Sequence, residues 1–166
     1  YIIDPVSGNK RIPWDLLPRY WTAESDYYDN KRWLKTPLMQ SGNIREKYYG
    51  VCAGIDEITK KHGYVRNGNI YQVERESRET VALFCHFGVE CVILSHLLGI
   101  SPVILWHNFC ALPSSVTTLV TEEREQGKAA FRMCGFGDIS HLYAGDEEPS
   151  FQARFCETYS NFEERH

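Results

Sequence analysis

Three features are missing from this sequence of 166 residues: a long apolar run, a close pair of cysteines and a large excess of one charge. The longest apolar run, Val89 to Ile100, is interrupted by Glu90, Ser95 and His96. It is therefore far from the roughly 20 residues that span a bilayer. The 18 basic and 22 acidic residues give a net charge of −4. This balance gives no general reason to expect nucleic acid or a membrane as a partner.

The six cysteines form neither a Cys-x-x-Cys pair nor a zinc-ribbon spacing. They are interpreted as reduced thiols, most of them packed as small apolar groups, in a cytoplasmic protein. A metal site built from Cys85, His86, Cys91 and His96 is not expected, because these positions do not stack on one helix face. No cysteine is followed by the arginine of a Cys-based phosphatase, and no P-loop motif is present. We therefore expect neither a metal nor a cofactor.

The first half of the chain predicts an irregular segment followed by one long helix. Residues 1–42 are rich in aromatic side chains and are divided by prolines, so they are interpreted as an irregular insertion within a single domain over residues 1–166. From Ile44 to Ile58 the apolar residues share one helical face. Asn43 and Glu46 predict a capping box, and Gly63 predicts the helix end. Asn67-Gly68 predicts a turn before a short strand.

The second half of the chain alternates strand and helix patterns. The unbroken apolar run Thr80–Cys85 predicts a strand that is buried on both faces, as in a parallel sheet. Helices are predicted from Val89 to Gly99 and from Ser101-Pro102 to about Phe109. Alternation over 115–122 and 129–133 predicts two further strands in a hairpin, and a last helix is predicted from Ser150 to about Tyr159. The pattern favours an α/β fold.

The clearest chemical feature is His86, which lies between the predicted strand and the next helix, with Gly88 allowing a tight turn. The carboxyl end of a parallel strand is where open α/β sheets bind ligands. The first backbone N–H groups of a helix also favour an anion such as phosphate. Two interpretations stay open at this point: an anion-binding histidine, or a buried histidine held by backbone hydrogen bonds.

Four stretches of the second half form a recognisable set. They are Thr-Val-Ala-Leu-Phe-Cys-His-Phe-Gly-Val-Glu (80–90), Leu-Leu-Gly-Ile (97–100), Ser-Ser-Val-Thr (114–117) and Ser-His-Leu (140–142). Together they resemble the C-terminal half of the histidine phosphatase, or phosphoglycerate-mutase-like, superfamily. The resemblance covers residues 80–143, and residues 1–79 resemble an insertion found in a bacterial, Firmicutes-like subgroup.

The resemblance implies a three-layer fold with a mostly parallel sheet, flanking helices and an incomplete N-terminus. It also implies hydrolysis of a small phosphomonoester through a phosphohistidine, without a metal. His86 would be the second histidine, which stabilises the phosphoryl group of the substrate or inorganic phosphate. Further substrate contacts are assigned to Phe87, Gly88, Ser114, Ser115 and Trp14. The plainer alternatives are turn residues for the two serines and a core aromatic for Trp14.

The nucleophile of that family, a histidine in Arg-His-Gly, has no match in this sequence. Lys61-His62-Gly63 is the nearest imitation, but it is interpreted as the end of the long helix. We therefore expect the nucleophile and the acid upstream of Tyr1, and a sheet that is completed by that segment or by self-association. The alternative function is a non-catalytic binding or interaction fragment that is inactive alone.

Overall fold

The computed structural model describes residues 1–150, 158–161 and 163. Most of the predicted helix from Ser150 to Tyr159 lies outside the described residues. The chain divides into two compact units. The first comprises Tyr1–Asn108 with Glu122–Ala130, and the second comprises Phe109–Thr121 with the described part of Phe131–His166.

The first 42 residues of the first unit form only short elements, because prolines interrupt the chain at frequent intervals. Strands β1 and β2 pair in antiparallel fashion, with Ile2 opposite Arg11 and Ile3 opposite Lys10. The elements are β1 (Ile2–Ile3), β2 (Lys10–Arg11), α1 (Pro18–Trp21), α2 (Pro37–Gln40) and three 3-10 turns at Pro13–Asp15, Ser25–Tyr28 and Trp33–Lys35.

Helix α3 (Ile44–Lys61) confirms the predicted long helix. It ends as predicted, since His62 is its C-cap and Gly63 follows with a left-handed φ of 93°. The predicted capping box is wrong. Asn43 is the N-cap but makes no side-chain capping bond, because its Oδ1 instead accepts a hydrogen bond from the amino group of Tyr1 at 2.8 Å.

Two hairpins supply a four-stranded sheet. Strands β3 (Tyr64–Asn67) and β4 (Ile70–Val73) form the first hairpin, and Gly68 turns it with a φ of 63°. The predicted second hairpin is confirmed as β5 (Val116–Glu125) and β6 (Lys128–Asp138). The strand order is β3-β4-β6-β5, and Tyr71 of β4 lies opposite Ala129 of β6. Strands β5 and β6 contribute residues to both units.

The two predicted helices after His86 are confirmed as α4 (Phe87–Leu98) and α5 (Pro102–Asn108). Gly99 ends α4 with a φ of 72°. The hydroxyl of Ser101 accepts the N–H of Val103 at 3.3 Å, which caps α5. In the second unit, a short helix α6 (Ser140–Ala144) follows β6.

The predicted three-layer fold with a mostly parallel sheet is wrong. Both sheets among the described residues are antiparallel, with two and four strands. Thr80–Cys85, the predicted buried strand, has no regular secondary structure and is exposed, with Phe84 98% accessible. The prediction of a buried strand was wrong because it assumed neighbouring strands that would cover the run. No described strand pairs with it.

The core of the first unit is an aromatic cluster around α5. Trp106 crosses Trp33 at an interplanar angle of 85° and a centroid distance of 5.6 Å, and Trp33 in turn meets Tyr48 of α3 edge-on at 5.0 Å. Leu94 of α4 and Leu105 of α5 are also buried. Helix α4 packs against both α3 and α5. Burial of several large aromatic side chains dominates the energetics of such a core.

Replacement of Gly63 by alanine tests the end of α3. The methyl group would lie 2.2 Å from the carbonyl oxygen of Arg75, at a φ that disfavours L side chains. We expect Gly63→Ala to lower the free energy of unfolding by about 2 kcal/mol or more. Gly54→Ala is the matched control inside α3, where nothing lies within 4 Å, and should raise it by up to about 1 kcal/mol. Urea denaturation measures both changes. Equal effects would contradict the assigned backbone conformation at Gly63.

Candidate functional site

His86 is the N-cap residue of α4. Its backbone is extended, with φ −90° and ψ 155°, and its carbonyl oxygen accepts the N–H groups of Val89 and Glu90, each at 3.0 Å. Its imidazole makes no capping bond, and the residue is exposed. The predicted juxtaposition of His86 with a helix N-terminus is therefore present. The predicted strand before it is not.

Gly88 lies buried under the indole of Trp14. A methyl group at Gly88 would lie 2.6 Å from the Trp14 ring, so only glycine allows this approach. Trp106 packs against Trp14 at a centroid distance of 6.2 Å, and its Nε1 donates a hydrogen bond to the carbonyl oxygen of Gly88 at 3.2 Å. The start of α4 is thus held between two indoles.

The structure brings four of the predicted site residues together at the start of α4. His86, Phe87 and Gly88 are consecutive, and the Trp14 ring lies against Gly88. Ser114 and Ser115 belong to the second unit, in the turn before β5. Ser114 has a left-handed φ of 66°, and the N–H of Ser115 donates to the carbonyl oxygen of Leu112 at 3.0 Å.

The cysteines near His86 are poor nucleophiles. Partial burial and the neighbouring negative charge of Glu90 raise the pKa of the Cys85 thiol. Burial raises the pKa of the Cys91 thiol strongly. Since the thiolate is the reactive form, both thiols stay protonated and unreactive at neutral pH.

A polar network that the sequence did not reveal joins α3, α4 and the first hairpin. His96 Nε2 lies 2.8 Å from Asp56 Oδ1. The Tyr71 hydroxyl donates to the same Oδ1 at 3.4 Å, and Arg66 donates to the Tyr71 hydroxyl at 2.8 Å and to the His96 carbonyl oxygen at 2.9 Å. A helix-face pattern carries no information about such long-range pairing, so only the spacing of polar residues on buried faces could have indicated it.

Burial affects the tyrosine of this network and a second tyrosine on α3. Burial raises the pKa of Tyr71 to about 12, although the Arg66 guanidinium opposes this shift. Burial likewise raises the pKa of Tyr48, which hydrogen-bonds Ser95, to about 12. Because Asp56 contacts both His96 and Tyr71, and Arg66 joins Tyr71 to the backbone of α4, we assign the network a structural role.

His62 contacts Glu79 in the loop before Thr80. Its Nδ1 lies 2.8 Å from Oε2 of Glu79, which also accepts a hydrogen bond from Ser77 at 3.0 Å. The hydrogen bond from His62 holds the pKa of the Glu79 carboxyl below its usual value. The pair ties the end of α3 to the loop before Thr80.

The part of the chain that the structure describes holds no metal-binding cluster. Among the described residues, no group of three or more histidine, cysteine, aspartate or glutamate side chains could hold a metal ion. An open apolar groove of about 410 Å³ lies elsewhere in the first unit, with Tyr20, Tyr27 and Leu38 in its walls. We give this groove no role in the chemistry of His86, because its walls lack that residue.

No family model, no curated protein and no solved structure matches the chain. None of the helices in the described part of the chain is both long enough and apolar enough to cross a membrane.

A double-mutant cycle tests the packing of Trp14 on Gly88. Gly88→Ala should lower the free energy of unfolding by about 1–3 kcal/mol, because its methyl group overlaps the indole. In a Trp14→Ala background that overlap is gone, so the same change should lower it by well under 1 kcal/mol. Urea denaturation of the four proteins gives the coupling energy. A coupling energy near zero would show that Trp14 does not cover Gly88 in solution.

Proposed function

We propose that this chain carries the phosphoryl-stabilising part of a phosphohistidine-dependent phosphomonoester hydrolase, with His86 as the residue that contacts the phosphoryl group. The observation that carries the proposal is the exposed imidazole of His86 at the N-cap of a twelve-residue helix. The side chain is open to a ligand, and the helix end favours negative charge.

The surroundings of His86 support binding of a small phosphorylated molecule. The positive end of the α4 helix dipole lies at His86, and the first turn of this helix begins with Phe87 and Gly88. The Trp14 ring covers Gly88 and gives the site one flat apolar wall. Anionic oxygens would meet His86 and the helix end, while the organic part of the ester would meet the indole.

In the reaction, His86 would donate hydrogen bonds to the non-transferring oxygens and offset their charge as the phosphoryl group moves. A neutral histidine would attack phosphorus, the ester oxygen would leave with a proton from an acid, and water would then release phosphate. The 166 residues contain no Arg-His-Gly motif. We therefore assign the nucleophile and the acid to a segment outside them. No metal or cofactor takes part in this scheme.

We also propose a cytoplasmic location. Cys52, Cys85, Cys91 and Cys134 are free thiols, in contrast to the disulfides typical of exported domains of this size.

Phosphate binding by the 166-residue chain tests the role of His86. We expect inorganic phosphate or orthovanadate to shift the His86 imidazole signals in NMR, with an affinity that falls at least about tenfold in His86→Ala. His141→Ala, which removes another exposed histidine, is the control and should bind as the parent does. Glu90→Gln should strengthen binding, because it removes a like charge from the same helical turn. Equal binding by the parent and His86→Ala would refute the assignment.

The same preparation distinguishes binding from turnover. We expect no hydrolysis of an aryl phosphate by the 166-residue chain, because the nucleophile is assigned elsewhere. If the chain hydrolyses the ester and His86→Ala abolishes this activity, the role of His86 is supported. The assignment of the nucleophile to another segment is then refuted.

The second candidate is a non-catalytic interaction fragment, and the exposure of Val81, Leu83 and Phe84 favours it. Three large apolar side chains in one extended, unpaired segment are unusual on the surface of a monomer. They would be covered either by the segment that supplies the nucleophile or by another copy of the chain.

Sedimentation velocity tests whether this apolar segment drives self-association. We expect the parent chain to associate with increasing concentration and Phe84→Lys to shift the equilibrium toward monomer by roughly tenfold, because a fully exposed apolar side chain is replaced by a charge. Val6→Lys is the control, since Val6 is also exposed but lies in the first turn of the chain. An effect of Val6→Lys as large as that of Phe84→Lys would point to net charge rather than to this segment.

A further inference from the structure

His107, at the end of α5, is enclosed by the N-terminal segment of the first unit. Its ring stacks on Trp21 of α1, with a centroid distance of 5.0 Å and an interplanar angle of 4°. One ring nitrogen donates a hydrogen bond to the backbone of Pro13, in the first 3-10 turn. The other, Nε2, is buried and has no hydrogen-bond partner among the described residues.

The surroundings of His107 favour the neutral form of its imidazole. Protonation would place a proton and a positive charge on Nε2, where the described residues offer no acceptor. Burial accordingly lowers the pKa of His107 to about 4, although the hydrogen bond to Pro13 opposes the shift. A free histidine titrates near 6.5. As the pH falls from about 6.5 toward 4, the undocked state therefore gains a proton that the docked state does not, and docking weakens.

We propose that His107 is an acid-sensitive latch, whose protonation releases the segment Pro13–Trp21 from α5. The two contacts of the ring, with Pro13 and with Trp21, bracket this segment. The charged ring can be hydrated only if one or both contacts open. Protonation of His107 therefore favours the open state of the segment.

Release of this segment uncovers the start of α4. Trp14 follows Pro13 directly and covers Gly88, beside His86. Opening at His107 thus removes the indole from the helix end. Release of the segment depends on the surroundings of His107 and does not require the proposed phosphoryl chemistry at His86.

No neighbouring charge accounts for the shift at His107, whose two causes are burial and the Pro13 backbone. Helix α5 packs against α4 and against the 3-10 turns at Pro13–Asp15 and Ser25–Tyr28, and His107 also contacts α1. The titratable or charged groups on those elements are Asp15, Arg19, Tyr20, Asp26, Tyr27, Tyr28, Glu90, Cys91 and His96.

Hydrogen exchange of the parent chain and of His107→Phe tests the latch. Phenylalanine retains a ring against Trp21 but cannot take up a proton. We expect the ratio of parent to variant exchange rates over residues 13–21 to increase about tenfold from pH 7 to pH 5. The ratio over α3 should stay constant, which separates local release from global unfolding. His141→Phe removes an exposed histidine and should exchange as the parent does at each pH.

The titration of His107 in the parent chain, followed by NMR of its imidazole, gives a second measurement that needs no variant. We expect an apparent pKa at least one unit below the usual value while residues 13–21 stay protected. A normal titration with the segment still protected would overturn the latch. So would an exchange ratio that is independent of pH, or an equal increase over α3.

Discussion

Trp106 joins parts of the first unit that the local sequence leaves separate. Its indole is buried, donates a hydrogen bond to the carbonyl oxygen of Gly88, and packs against Trp14 and Trp33. The side chain of Trp106 therefore connects α5 with α4 and with two turns of the N-terminal segment. A buried tryptophan with a satisfied N–H supplies a large apolar area without leaving a polar group unpaired. The irregular first 42 residues keep a defined position because they contribute aromatic side chains to this cluster.

The packing of Trp14 and Trp106 also determines the surroundings of the first residues of α4. Gly88 must be glycine because Trp14 lies against it, and His86, two residues earlier, is exposed. His107 follows Trp106 in the chain, and its stack with Trp21 joins α5 to the same N-terminal segment. The chemistry proposed for His86 and the acid sensitivity proposed for His107 thus depend on one packed cluster, although neither proposal needs the other.

The exposed segment Thr80–Cys85 differs from the buried strand that the sequence predicts. Its composition is that of a buried strand, yet a strand needs partners for its backbone N–H and C=O groups as well as for its side chains. No described strand supplies them, so the run stays irregular and Phe84 is exposed. The local sequence makes this segment suitable for burial. Whether it is buried depends on whether the rest of the fold places strands beside it.

The sequence by itself determined the local elements: the end of α3 at Gly63, the start of α5 at Ser101, the turn at Asn67-Gly68, the β5–β6 hairpin and the position of His86 at a helix N-terminus. These features depend on side chains within a few residues of each other, through helical period, left-handed glycines and capping hydroxyls. Tertiary structure alone decided the antiparallel sheets, the cover of Gly88 by Trp14, the network of Asp56 with His96 and the burial of His107. Such contacts join residues tens of positions apart, and their formation depends on which surfaces the folded chain brings together rather than on any local pattern.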